Sequence, residues 1–163
     1  MSNCCASTWD QSCSLPKSEP GLCPACGQKA KSVATLTVKN LVRDHGRVIA
    51  GTSYSFCRTR NCDVVYFSDR GLFHKTDIKV RVGIKEDDDH IPLCYCFGYT
   101  RENVRTDVED HGSTEIPDRI KVEIQGDFCA CEVKNPSGDC CLGNVMKAIQ
   151  DIQNKLIHAA THS

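Results

Sequence analysis

The first third of the chain alternates short β-branched runs with turns. Val33-Ala34-Thr35-Leu36-Thr37-Val38, Thr52-Ser53-Tyr54-Ser55-Phe56 and Asp63-Val64-Val65-Tyr66-Phe67 each have the length and composition of a strand. Turns are expected at Asp44-His45-Gly46 and Ser68-Asp69-Arg70-Gly71. Ile78 to Lys85 alternates apolar and basic residues, the pattern of a half-buried strand. The acidic run Glu86-Asp87-Asp88-Asp89-His90 then breaks the pattern and reads as a solvated linker, because it lacks the Gly and Glu of a calcium loop.

Beyond it the period changes from two to about 3.6. Thr100 is placed to cap a helix with Glu102 in its first turn, Val104 and Val108 share one face, and His111-Gly112 ends it. Ile116 to Ile124 fits a second short helix or an extended piece. Asn135-Pro136-Ser137-Gly138 is a turn. Val145, Ile149, Ile152 and Leu156 then form the apolar stripe of a last helix starting near Cys140-Cys141. Residues 1–20 show no periodicity and are expected to form a disordered arm. The predicted organisation is a β-rich half at 21–85, a linker at 86–92 and a helical half at 93–163.

Composition changes this picture through sulfur. Thirteen of the 163 residues are cysteines, and with only 6% aromatics the remaining apolar residues make a thin core for two small subdomains. Metals or disulfides must help. No apolar run matches a signal-peptide core or approaches the length of a membrane span, so a reducing cytoplasm is expected and clustered thiols there mean metal. A formal net charge of −1 leaves no electrostatic footprint for nucleic acid or an anionic membrane.

The thiols fall into two groups. Cys23-Pro24-Ala25-Cys26-Gly27 is a knuckle whose amides can point at two sulfurs, and Cys57 and Cys62 supply a second pair. Four such thiolates suit one tetrahedral zinc, with the β-rich half as a treble-clef or ribbon-like module. Thioredoxin-style redox chemistry at Cys23/Cys26 is disfavoured, because no βαβ pattern follows. The second group contains Cys94 and Cys96, then Cys129, Cys131, Cys140 and Cys141 after a helical stretch that can fold back. Cys94 and Cys96 are too close in sequence for a relaxed disulfide but can both serve an iron–sulfur cluster. The start of the last helix carries partial positive charge that favours an anionic centre nearby. From spacing alone, neither Cys129 nor Cys140 is excluded as a ligand.

These strings resemble the N-terminal region of CopZ-type copper chaperones. The resemblance rests on the Cys-Pro-x-Cys opening, on Phe56 to Phe67 (Phe-Cys-x4-Cys-x-Val-Val-Tyr-Phe) and on Arg81-Val82-Gly83-Ile84-Lys85. Cys94-Tyr95-Cys96 and Asn135-Pro136-Ser137-Gly138-x-Cys-Cys continue it. The cluster half also resembles bacterioferritin-associated ferredoxin. The resemblance implies an α+β fold, zinc on Cys23, Cys26, Cys57 and Cys62, and a 2Fe–2S cluster on Cys94, Cys96, Cys131 and Cys141. It implies a redox or metal-handling protein partner such as a copper-binding protein or transporter. The family's copper-binding Gly-Met-x-Cys-x-x-Cys loop does not occur in this sequence, whose only methionines are Met1 and Met146.

The function expected is that of a one-electron carrier. The alternatives are a soft-metal chaperone or sensor using spare thiols (Cys4, Cys5, Cys13, Cys129, Cys140) and a zinc-only interaction module. None of the six histidines sits in a hydrolytic frame and no Gly-rich phosphate loop is present, so no enzyme is expected.

Overall fold

The computed structural model describes residues 21–162, so the expectations for the N-terminal arm, including Cys4, Cys5 and Cys13, lie outside the described residues. The fold is mixed α+β. An antiparallel sheet runs in chain order through β1 (Lys31–Val33), β2 (Tyr54–Phe56), β3 (Val64–Ser68) and β4 (Gly71–His74). The expected strands at 52–56 and 63–67 are present as β2 and β3, paired with Phe56 opposite Tyr66. Tyr54, Phe56, Val65, Tyr66 and Phe73 build one core with Val38, Leu41, Val42 and Ile78.

Two strand expectations are corrected. Only Val33 of the 33–38 run stays in the sheet; Thr35–Leu41 is a helix, α1. Thr37, Val38 and Leu41 are its buried residues, so packing of one helical face outweighs the β-propensity of Thr and Val. The 78–85 run also leaves the sheet. It touches α1's end through a single bridge between Val42 and Ile78, with Lys79 N donating to Leu41 O at 2.7 Å. It then closes into a 3-10 turn at Gly83–Lys85. Lys85, placed by the alternation on the solvent side, is buried.

The helical half opens on a small hairpin, β5 (Pro92–Cys94) with β6 (Tyr99–Thr100). Gly98 closes it at φ +75°, a conformation that favours glycine, and its N–H donates to Cys94 O at 2.8 Å. Helix α2 (Arg101–His111) starts at Thr100 as expected, with a reciprocal cap between Thr100 and Asn103, and ends at Gly112. Ile116–Gln125 is a helix, α3, opened by Pro117 in its first turn. A single turn, α4 (Cys131–Lys134), precedes the long α5 (Leu142–Thr161). Val145, Ala148 and Ile152 of α5 pack with Val104, Val108, Ile116 and Ile120 around Cys94, Cys131 and Cys141. The expected stripe holds for its first part, with Ile149 packed against this core and Leu156 exposed.

The two cores meet along α1 and α4. The buried Tyr66 hydroxyl donates to Pro136 O at 2.6 Å, and Lys31 pairs with Asp139. The acidic run is fully engaged with arginines: Asp87 with Arg60 and Arg101, Asp88 with Arg81, Asp89 with Arg105.

Candidate metal centres

The knuckle is built by backbone geometry. Cys23 N donates to Gln28 O and Gly27 N to Cys23 O, folding Cys23–Gly27 so that the amides of Ala25 and Cys26 aim at the Cys23 sulfur. Strand β3 delivers the second pair: Cys57 N bonds Val65 O at 2.9 Å just beyond β2, and Cys62 sits just before β3 with the Val64 amide on its sulfur. The result joins all four thiols that the spacing singled out. Cys23 Sγ lies 3.9 Å from Cys62 Sγ and Cys26 Sγ 3.7 Å from Cys57 Sγ, and the four sulfurs lie within 4.8 Å of one another. Tetrahedral thiolates at about 2.3 Å from a zinc ion are separated by about 3.8 Å, which the 23–62 and 26–57 separations match, so this donor set suits one such ion.

The thiols of the quartet differ in acidity. Burial pushes Cys23 up to about 12, against the pull of its backbone amides. Burial also raises Cys62. At Cys26, hydrogen bonding to Thr59 and to the Gln28 amide outweighs burial and lowers it to about 6.

The second group is arranged around the hairpin turn and the start of α5. Cys94 Sγ and Cys141 Sγ, both fully buried, lie 2.7 Å apart. Contact with the Cys141 thiol lowers Cys94 to about 6 despite burial, helped by the amides of Phe97 and Cys96, and the same contact raises Cys141. Cys96 Sγ lies 3.5 Å from Cys131 Sγ and accepts from Ala130 N at 3.3 Å. The four cluster candidates therefore form two close pairs, 94 with 141 and 96 with 131. A binuclear cluster takes two thiolates on each iron, about 3.8 Å apart, and is tuned by amides directed at sulfur. The 96–131 separation suits such a pair, whereas Cys94 and Cys141 would have to part by about 1 Å to share an iron.

Cys129, left open by spacing, completes a triangle: its sulfur is 3.4 Å from Cys131 and 3.9 Å from Cys96. Cys140, the other thiol left open by spacing and the neighbour of Cys141, is exposed. Two side chains that carried no chemistry in the sequence reading also belong here. Lys85 Nζ donates to Thr59 O and Cys62 O, between the second pair of the quartet. Tyr95, between Cys94 and Cys96, accepts from Gly83 N at 2.9 Å and donates to Arg81 O at 2.6 Å. The Arg-Val-Gly-Ile-Lys string was visible, but its three-dimensional reach was not.

A small antiparallel sheet bearing a convergent cysteine quartet, joined to helices that gather further thiols, defines a cysteine-rich α+β metal-binding protein. Residues 20–79 match a family model described as the CopZ zinc binding domain. The chain is 32% identical over 145 residues to the copper chaperone CopZ of Archaeoglobus fulgidus, covering 82% of this chain and 69% of the relative. Among solved structures, it superposes on the N-terminal domain of Archaeoglobus fulgidus CopZ with a TM-score of 0.64 at 30% identity. That match covers 77% of this chain and 95% of the other. The chain belongs to the CopZ family, and its first half is a zinc-binding domain.

Proposed function

We propose that the chain holds zinc on Cys23, Cys26, Cys57 and Cys62 and a 2Fe–2S cluster on Cys94, Cys96, Cys131 and Cys141, and that it passes single electrons to a metal-handling protein partner in the cytoplasm. Residues 21–85 would form the zinc half, 93–163 the cluster half, and 86–92 the join. The relative's designation as a copper chaperone makes copper the first metal to consider for that partner.

The observation that carries this reading is the pairing of four thiols, 94 with 141 and 96 with 131, three of them buried in a core with Val104, Val108 and Val145 and Cys96 packed at its edge. When bound, a tetrathiolate 2Fe–2S group supplies one-electron chemistry. The chain's own residues do the rest. The amides of Cys96, Phe97 and Ala130 aim at sulfur and favour its anionic form. The aliphatic wall keeps water from the Cys94 side, whereas half-exposed Cys96 and Cys129 face outward and give an electron a short way out. Zinc in this reading holds the β-rich half together, where the core near the quartet consists of little besides Val64 and Phe67.

A second reading, uptake of a soft ion without redox turnover, is favoured by one observation: the sulfur triangle of Cys96, Cys129 and Cys131. Two variants separate the readings. In anaerobically purified protein, Cys94→Ser should abolish the paramagnetic resonance signal of the dithionite-reduced state and leave zinc in place. Cys57→Ser should lose zinc and keep that signal or unfold the β-rich half. An unchanged signal in Cys94→Ser would refute the cluster assignment.

A further inference from the structure

Lys85 is 4% exposed, and its ammonium is met by two backbone carbonyls, Thr59 O at 2.8 Å and Cys62 O at 3.0 Å. A buried ammonium is costly unless an opposite charge lies close. Among the described residues no carboxylate forms an ion pair with it. The acids next to it in sequence are already committed: Glu86 and Asp88 to Arg81, Asp87 to Arg60 and Arg101, Asp89 to Arg105.

What the ammonium does bond is the backbone that carries two of the quartet's sulfurs. Both carbonyls belong to the loop that carries Cys57 and Cys62, and Thr59 of that loop touches Cys26 Sγ through its hydroxyl at 3.3 Å. Four thiolates around one divalent ion form a dianionic centre. We propose that Lys85 is the counter-charge of the cysteine quartet, holding the Thr59–Cys62 loop in place and offsetting the negative charge of the zinc-loaded site. The inference rests on the zinc assignment to Cys23, Cys26, Cys57 and Cys62. It accounts for a buried cation that the fold otherwise leaves uncompensated, and for the Lys that ends the Arg81–Lys85 string.

The test compares zinc retention by the full-length wild type, Lys85→Met and Lys85→Gln under competition with a chromogenic chelator. Circular dichroism monitors folding. Gln keeps N–H donors for the two carbonyls but removes the charge, so a purely hydrogen-bonding role would leave it like the wild type. Both variants are expected to lose zinc about tenfold more readily, the scale found for residues that support metal ligands. Retention in Lys85→Gln within about twofold of wild type would overturn the proposal. Should neither variant fold, amine acylation of the wild type decides. Lys85 is expected to be protected with zinc and reactive after chelation, with unchanged circular dichroism; equal protection in both states would overturn the proposal. A wild type that retains no zinc would instead refute the zinc assignment beneath it.

Discussion

Cys129 and Cys131 are separated by one alanine, and their sulfurs sit side by side against Cys96. Spacing could not rank them, because a Cys-x-Cys pair offers either sulfur to the same point in space. The structure keeps the choice chemical: Cys131 is buried and packs in the core with Cys94 and Cys141, whereas Cys129 is half-exposed. If the cluster is held as proposed, Cys129→Ser should leave the visible spectrum unchanged. Cys131→Ser should keep a cluster with a shifted spectrum, Cys129 taking the vacant position. Complete bleaching of Cys131→Ser would show that Cys129 does not substitute. The quartet at Cys23, Cys26, Cys57 and Cys62 was legible because a knuckle and a second pair leave few other partners. Lys85 was not, since a basic residue in an alternating run reads as solvent-facing until its neighbours are known.

The elements follow the same division. Helices α2 and α5 were readable from caps and a 3.6-residue stripe, signals carried within one segment. Helix α1 was not, because its Thr and Val residues favour strands locally and only the core formed with Leu41 and Ile78 decides otherwise. The hairpin that presents Cys94 and Cys96 is too short for a periodic pattern, and no strand was expected there.

At the end of β4, the Asp77 carboxylate accepts from His74 N at 2.8 Å and pairs with Arg47. The His74 amide hydrogen bond holds its pKa below the ordinary carboxylate value of 3.8, with Arg47 assisting against partial burial. A depressed carboxylate adds stability above its unfolded value, and that contribution is lost as pH falls through the lower folded value. Asp77→Asn should therefore cost about 1 kcal/mol at neutral pH, as loss of a capping carboxylate does, and the difference from wild type should begin to shrink only as pH falls below the ordinary carboxylate value and vanish below the lower folded one. Urea unfolding at several pH values measures both; a cost that does not change with pH would contradict the electrostatic account.

At the scale of the molecule, the two sulfur groups are tied by backbone rather than by a shared ligand. Residues 81–85 reach the quartet through Lys85 and the Cys94–Cys96 turn through Tyr95, whose hydroxyl bonds both Gly83 N and Arg81 O. On the opposite flank, Tyr66 bonds Pro136, and Gly138 lies against α1 at φ +71°. A Cβ there would come within 3.2 Å of the Thr37 hydroxyl, so the left-handed backbone and the close approach to α1 both favour glycine. The Asn-Pro-Ser-Gly string thus serves the join, and through it the position of Cys131 and Cys141 on either side.

Metal analysis of anaerobically purified protein, combined with paramagnetic resonance before and after dithionite, tests the account most directly. It should find ~1 zinc and ~2 iron per chain, with a signal that appears only on reduction. Zinc alone in both sulfur groups, or cysteines joined to one another as disulfides, would contradict it.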